Sequence, residues 1–105
     1  DYVHVTDLAD AHVQALRYLL AGGDTSAFNL GTGRGFSVRE VVDSVARVTG
    51  RPVPIKEQAR RPGDPPTLVA ASARAREVLA FAPRYLDIDE VVATAWRWYH
   101  KNRSL

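Results

Sequence analysis

Arg61 and Asp64 stand on either side of the dipeptide Pro62-Gly63, with a second arginine, Arg60, just before them. Pro62 fixes φ and has no N–H to donate, and Gly63 tolerates backbone angles closed to other residues. The spacing predicts a stiff bend outside regular structure, from which a guanidinium and a carboxylate point the same way. The guanidinium suits phosphate oxygens in a forked geometry, and the carboxylate suits sugar hydroxyls. A nucleoside diphosphate attached to a sugar offers both groups at about that separation. Pro-Gly-Asp is also an ordinary surface turn, so the loop alone leaves both readings open.

Other candidate chemistry is weaker. Gly31-Thr32-Gly33-Arg34-Gly35 follows an apolar segment and precedes a helix signal, the setting of a phosphate loop. It departs from the dinucleotide fingerprint, whose third glycine would fall at Phe36, and no suitably placed acidic residue follows about 20 positions on. It also lacks a Gly-Lys-Ser/Thr ending, so a tight strand-to-helix turn is expected. His4, His12 and His100 show no metal-ligand spacing, and His12 is expected to be partly buried and hydrogen-bonded. Ser37, Ser44 and Ser72 have no His and Asp at a familiar triad spacing. Arg74 and Arg76, two apart, do not share a helix face and read as solvated charges. Trp96 through Lys101 mixes aromatic and basic residues as single-strand binders do. Helical register puts Trp96 and Tyr99 in the core, so nucleic acid is not an expected partner.

The bulk numbers set the frame. A chain of 105 residues with 46% apolar and 25% charged residues is ordinary for one small domain, 1–105. A net charge of +2 makes only a weak field. With no cysteine, disulfides, thiolate nucleophiles and cysteine-bound metals are excluded. No apolar run approaches the roughly 20 residues that cross a bilayer, and no signal peptide is visible, so a cytoplasmic chain with no membrane partner is expected. There is no methionine, and Asp1-Tyr2-Val3-His4-Val5 opens directly in what reads as a strand. A portion of a longer protein is expected.

The elements that must position these residues follow from pattern. Tyr2, Val3 and Val5 predict a short strand, after which Thr6 or Asp7 caps a helix. Leu8, His12, Ala15, Leu16, Leu19 and Leu20 give that helix one buried face, and Ala21-Gly22-Gly23-Asp24 ends it. Ala27–Leu30 reads as a strand. Ser37 and Glu40 form a capping box, and Val38, Val41, Val42, Val45 and Val48 continue as a helix that Gly50 closes. Val53–Glu57 reads as an edge strand, and Leu68-Val69-Ala70 as another short one. Ser72 opens a helix to about Phe81, with Ala75, Val78 and Leu79 inward. Asp87 and Glu90 open the last helix, with Ile88, Val91, Val92, Ala95, Trp96 and Tyr99 inward and Trp98 off the stripe. The expected order is β-α-β-α-β-β-α-α, an α/β fold (α+β as an isolated piece).

Taken together, several blocks resemble a known family in order and spacing over essentially the whole chain. They are Asp1-Tyr2-Val3-His4-Val5, Thr6 through His12, Phe28 through Gly33, Ser37 through Val41, Arg61 through Asp64, and Thr94 through Trp98. They are similar to the carboxyl-terminal third of the UDP-glucose 4-epimerases, NAD-dependent members of the extended short-chain dehydrogenase/reductases. The chain departs from the family at Ala71, where Asp is usual, and at Leu79-Ala80-Phe81, where Leu-Gly-Trp is usual.

The resemblance implies a division of labour. In the family an amino-terminal Rossmann domain carries the NAD loop and the Tyr-x-x-x-Lys pair. Here Tyr18, Tyr85 and Tyr99 are followed four residues on by Gly22, Asp89 and Arg103, so this chain supplies no catalytic residue, binds no NAD itself and is expected to be inactive alone. By position, Arg61 grips the diphosphate of a UDP-sugar, Asp64 accepts from ribose hydroxyls, and Tyr2 lines the nucleotide pocket. The missing Rossmann domain is the implied partner, and the chain alone is expected to self-associate. The alternatives are the matching part of a nucleotide-sugar dehydratase, decarboxylase or reductase, or a non-catalytic interaction module.

Overall fold

The computed structural model describes residues 1–102. Their regular structure is four helices, α1 (Val5–Leu20), α2 (Val38–Thr49), α3 (Ala73–Leu79) and α4 (Ile88–Asn102). Among the described residues there is no β-strand, which corrects the expected α/β order. Of the segments expected as strands, the first is cut short because Val5 already belongs to α1, and the other three run between helices without pairing. An extended segment becomes a strand only when a neighbour completes its ladder of N–H and C=O groups, and strand-type residues cannot supply that neighbour. Pro52, Pro54, Pro65 and Pro66 further remove donors from these stretches.

Helix α1 begins two residues earlier than a Thr6 cap would give and three earlier than an Asp7 cap. His4 is the N-cap, extended at φ −66° and ψ 140°, and its Nδ1 accepts from the Thr6 N–H at 3.0 Å. The other ring nitrogen, Nε2, lies 2.7 Å from the Thr94 hydroxyl on α4, and the ring stacks on Tyr85 at 3.9 Å. Since Nδ1 accepts, Nε2 carries the proton and donates to Thr94. Asp7 has a different task from capping. It is buried, and its two oxygens accept from the backbone N–H groups of Arg84 (3.1 Å) and Tyr85 (3.0 Å). This fastens the α3–α4 connection to the first turn of α1, where the helix dipole also favours a carboxylate.

The helices pack as two pairs, α1 with α3 and α2 with α4. Between the first pair, Ala11, Ala75 and Phe81 are buried, with Phe28 and Leu30 partly buried against them. Phe81 thus supplies buried aromatic packing at the position where the resembled family carries Trp. Ser72 stands before α3, but its hydroxyl donates to the Gly31 carbonyl (3.2 Å) and does not cap the helix. Helix α3 stops at Leu79 because Ala80 turns left-handed at φ 56°, in the position where the resembled family carries glycine.

The second pair is local in origin. Ser37 and Glu40 form the expected capping box, and Gly50 closes α2 at φ 68°. The Glu40 carboxyl is held below the usual range, chiefly by accepting from the Ser37 backbone N–H. Across the interface, fully buried Ser44 donates to Asp89 Oδ1 (2.5 Å), and Arg47 donates to both Asp89 oxygens (2.8 and 3.3 Å). Asp87 Oδ1 accepts from the Asp89 N–H at the start of α4. The Asp89 carboxyl is lowered first by Arg47 and then by Ser44, and the Arg47 guanidinium is raised by Asp89.

The assembly is open. A folded chain of this length is expected to have a radius of gyration of about 13 Å, whereas the observed value is 16.7 Å, in a slab of 50 × 38 × 23 Å. Several expected core residues are accordingly exposed. Val5, Val13, Leu16, Leu19 and Leu20 share one face of α1 that nothing covers. His12 is exposed as well, with its Nδ1 2.6 Å from the Leu8 carbonyl. Val38, Val78 and Tyr99 are also exposed, as is Trp98. No helix among the described residues is long and apolar enough to cross a membrane.

Two measurements check this picture. Ala80→Gly relieves a left-handed alanine and is expected to raise unfolding stability by about 1 kcal/mol in urea titration. The Asp89 carboxyl is depressed in the folded state, so its stabilisation is present at neutral pH and lost as pH falls through the folded value. Melting temperatures followed from pH 7 downward should therefore fall below the ordinary carboxylate range, and Asp89→Asn should lower the pH 7 value and flatten that decline.

Candidate functional site

The loop carrying Arg61 and Asp64 is a hydrogen-bonded turn. The Asp64 N–H donates to the Arg61 carbonyl at 3.2 Å, and Gly63 takes φ +84° after Pro62. Proline followed by a positive-φ glycine is the signature of a type II turn. The two side chains leave it on the same side, and Arg61 Nε donates to Asp64 Oδ2 at 3.0 Å. They are paired with each other in the open: the Arg61 side chain is 85% exposed and that of Asp64 43%. An exposed pair of this kind contributes under about 1 kcal/mol, so a ligand that satisfies both groups can part them at little cost.

Tyr2 belongs to a different wall. It lines a cleft of about 520 Å³ with Phe36, Val38, Thr67 and Leu68 among its neighbours. Arg61 and Asp64 do not line that cleft. The segment they begin reaches it at Pro66, two residues beyond Asp64. The structure thus brings Arg61 and Asp64 together and sets Tyr2 in a pocket that the same segment closes.

The glycine turn at Gly31–Gly35 binds an anion after all, but an internal one. The Asp1 carboxylate accepts from the Thr32 N–H and hydroxyl (both 3.0 Å) through Oδ1, and from the N–H groups of Gly33 (3.3 Å) and Ala70 (3.1 Å) through Oδ2. Sequence reasoning had no role for Asp1, although an acid beside Tyr2 and a glycine turn rich in free N–H groups were both in view. Among the described residues, no cluster of three or more His, Asp or Glu side chains is arranged to hold a metal ion.

Comparison with known proteins places this geometry. No family model matches the chain. UDP-glucose 4-epimerase of Lacticaseibacillus casei is 52% identical over 102 residues, which is 97% of this chain and 30% of that protein. A crystal structure of a UDP-glucose 4-epimerase superposes with a TM-score of 0.91 at 45% identity, over 98% of this chain and 31% of that one. This chain is a homologue of one portion of UDP-glucose 4-epimerase. The UDP-glucose 4-epimerase of Bifidobacterium longum, solved in complex with NAD+ and UDP, superposes at a TM-score of 0.82 with 36% identity, over 98% of this chain and 30% of that one. The chain spans about 30% of the length of the UDP-glucose 4-epimerases it matches. The four-helix arrangement, extended connections included, is therefore shared with solved UDP-glucose 4-epimerases.

Proposed function

We propose that this chain is the carboxyl-terminal, substrate-anchoring part of an NAD-dependent UDP-glucose/UDP-galactose 4-epimerase, with residues 1–105 acting as one unit. The observation that carries the reading is the Arg61–Asp64 turn, which presents a guanidinium and a carboxylate together on the segment that reaches the cleft of Tyr2 at Pro66. On this reading Arg61 binds the diphosphate, Asp64 accepts from ribose hydroxyls, and Tyr2 lines the nucleotide pocket. A relative solved with UDP bound supports the choice of nucleotide.

Anchoring serves more than affinity in such a reaction. Inverting one sugar carbon requires the sugar to present each face in turn while the rest of the substrate stays fixed. Bonds from arginine to phosphate oxygens are charge-assisted and directional, roughly 1.5–3 kcal/mol each, and they hold the nucleotide half without touching the sugar. NAD would supply hydride removal and return. The residues here do not fit it, because the one glycine turn that could cradle a phosphate spends its N–H groups on Asp1. The NAD site and the proton-moving pair are assigned to a separate Rossmann domain, and the uncovered apolar face of α1 to packing against it.

Isothermal titration of UDP into the chain tests the reading. Binding is expected, weakened at least tenfold by Arg61→Ala with an unchanged melting temperature; no UDP binding by the unaltered chain would sink the proposal. The bare α1 face is also expected to draw copies of the isolated chain together. Sedimentation velocity should show a concentration-dependent shift that Leu16→Glu abolishes, and a monomer at every concentration would contradict it.

A further inference from the structure

We infer that Asp1 is the positioning residue of the nucleotide cleft, an inference that rests on the reading of that cleft just given. Its carboxylate is the point where the three segments around the cleft meet. Tyr2 is its chain neighbour. Thr32 and Gly33 lead directly into Gly35, Phe36, Ser37 and Val38, and Ala70 directly follows Pro66, Thr67, Leu68 and Val69; the cleft is lined from both runs. The backbone nitrogen of Asp1 donates to the Leu68 carbonyl at 2.6 Å, adding a second tie to the same wall.

The donor set requires an acceptor with two open oxygens. Four donors converge on Asp1, two on each oxygen. Only a carboxylate of that length meets all of them, because an amide in its place has one oxygen and turns an NH2 toward two N–H donors. The walls contribute no helix–helix packing and no ladder to each other. The spacing between Tyr2 and the opposing Phe36 and Leu68 therefore rests chiefly on this carboxylate, with the Asp1–Leu68 and Ser72–Gly31 bonds beside it. A cleft whose walls are fixed before the ligand arrives binds more tightly than one that must be ordered by it.

The experiment compares the unaltered chain, Asp1→Asn and Thr32→Val by UDP titration, amide hydrogen exchange and thermal melting. Asp1→Asn is expected to speed exchange at Thr32, Gly33 and Ala70 and to weaken UDP binding about tenfold or more, with the melting temperature nearly unchanged. Thr32→Val removes one of the donors and should weaken binding by a smaller factor, about threefold, which keeps the test open if Asp1→Asn fails to fold. Faster exchange with undiminished UDP affinity would make Asp1 a structural tie only and overturn the inference while leaving the nucleotide reading intact. If the unaltered chain binds no UDP, the nucleotide reading itself fails and this inference with it.

Discussion

One buried carboxylate joins what would otherwise be separate pieces. Asp7, on the first turn of α1, holds the backbone of Arg84 and Tyr85 between α3 and α4. The stacked pair of His4 and Tyr85, and the bond from His4 to Thr94, form alongside it. Helix pairs α1/α3 and α2/α4 share little apolar interior, so their relation depends on this polar seam. A buried carboxylate is costly unless fully bonded, and here two backbone donors meet it. The seam fixes the frame on which the unpaired connections lie, including the loop of Arg61 and the wall of Tyr2.

Acids do the same work elsewhere in the chain. Asp89 binds α2 to α4 through Ser44 and Arg47, and Asp1 draws three extended segments together. Each spans a long sequence separation, and each replaces what a sheet would supply in a closed domain. This is how a chain with so few buried apolar residues keeps a defined shape: specific polar joints hold elements whose apolar faces look outward.

What the sequence revealed follows from that contrast. Ser37, Glu40 and Gly50 were legible because a capping box and a left-handed stop are decided within a few residues. The helical face of Leu16, Leu19 and Leu20 was legible as a pattern, but pattern does not say whether anything in the chain covers it. The strands failed for a non-local reason, since Val53–Glu57 and Leu68–Ala70 form no ladder with a neighbouring backbone; Leu68 has only the single bond from the Asp1 nitrogen. Asp7 was read as a cap, and Asp1 and Asp89 were given no role, because an acid that accepts from distant donors looks, in sequence, like any solvated charge or local cap. The Arg61–Asp64 turn was readable because Pro-Gly dictates its shape; what it binds was not written there.

The contact between Arg61 and Asp64 has a bearing on selectivity. With no ligand the two charges cancel over a short distance, so the pair itself projects almost no field and Arg60 alone gives the corner a net charge. Inorganic phosphate engaging the guanidinium would strand the carboxylate next to a like charge. A molecule with an anionic end and a hydroxyl-bearing end satisfies both groups at once. On the function proposed above, the turn is a two-key lock, indifferent to either key alone.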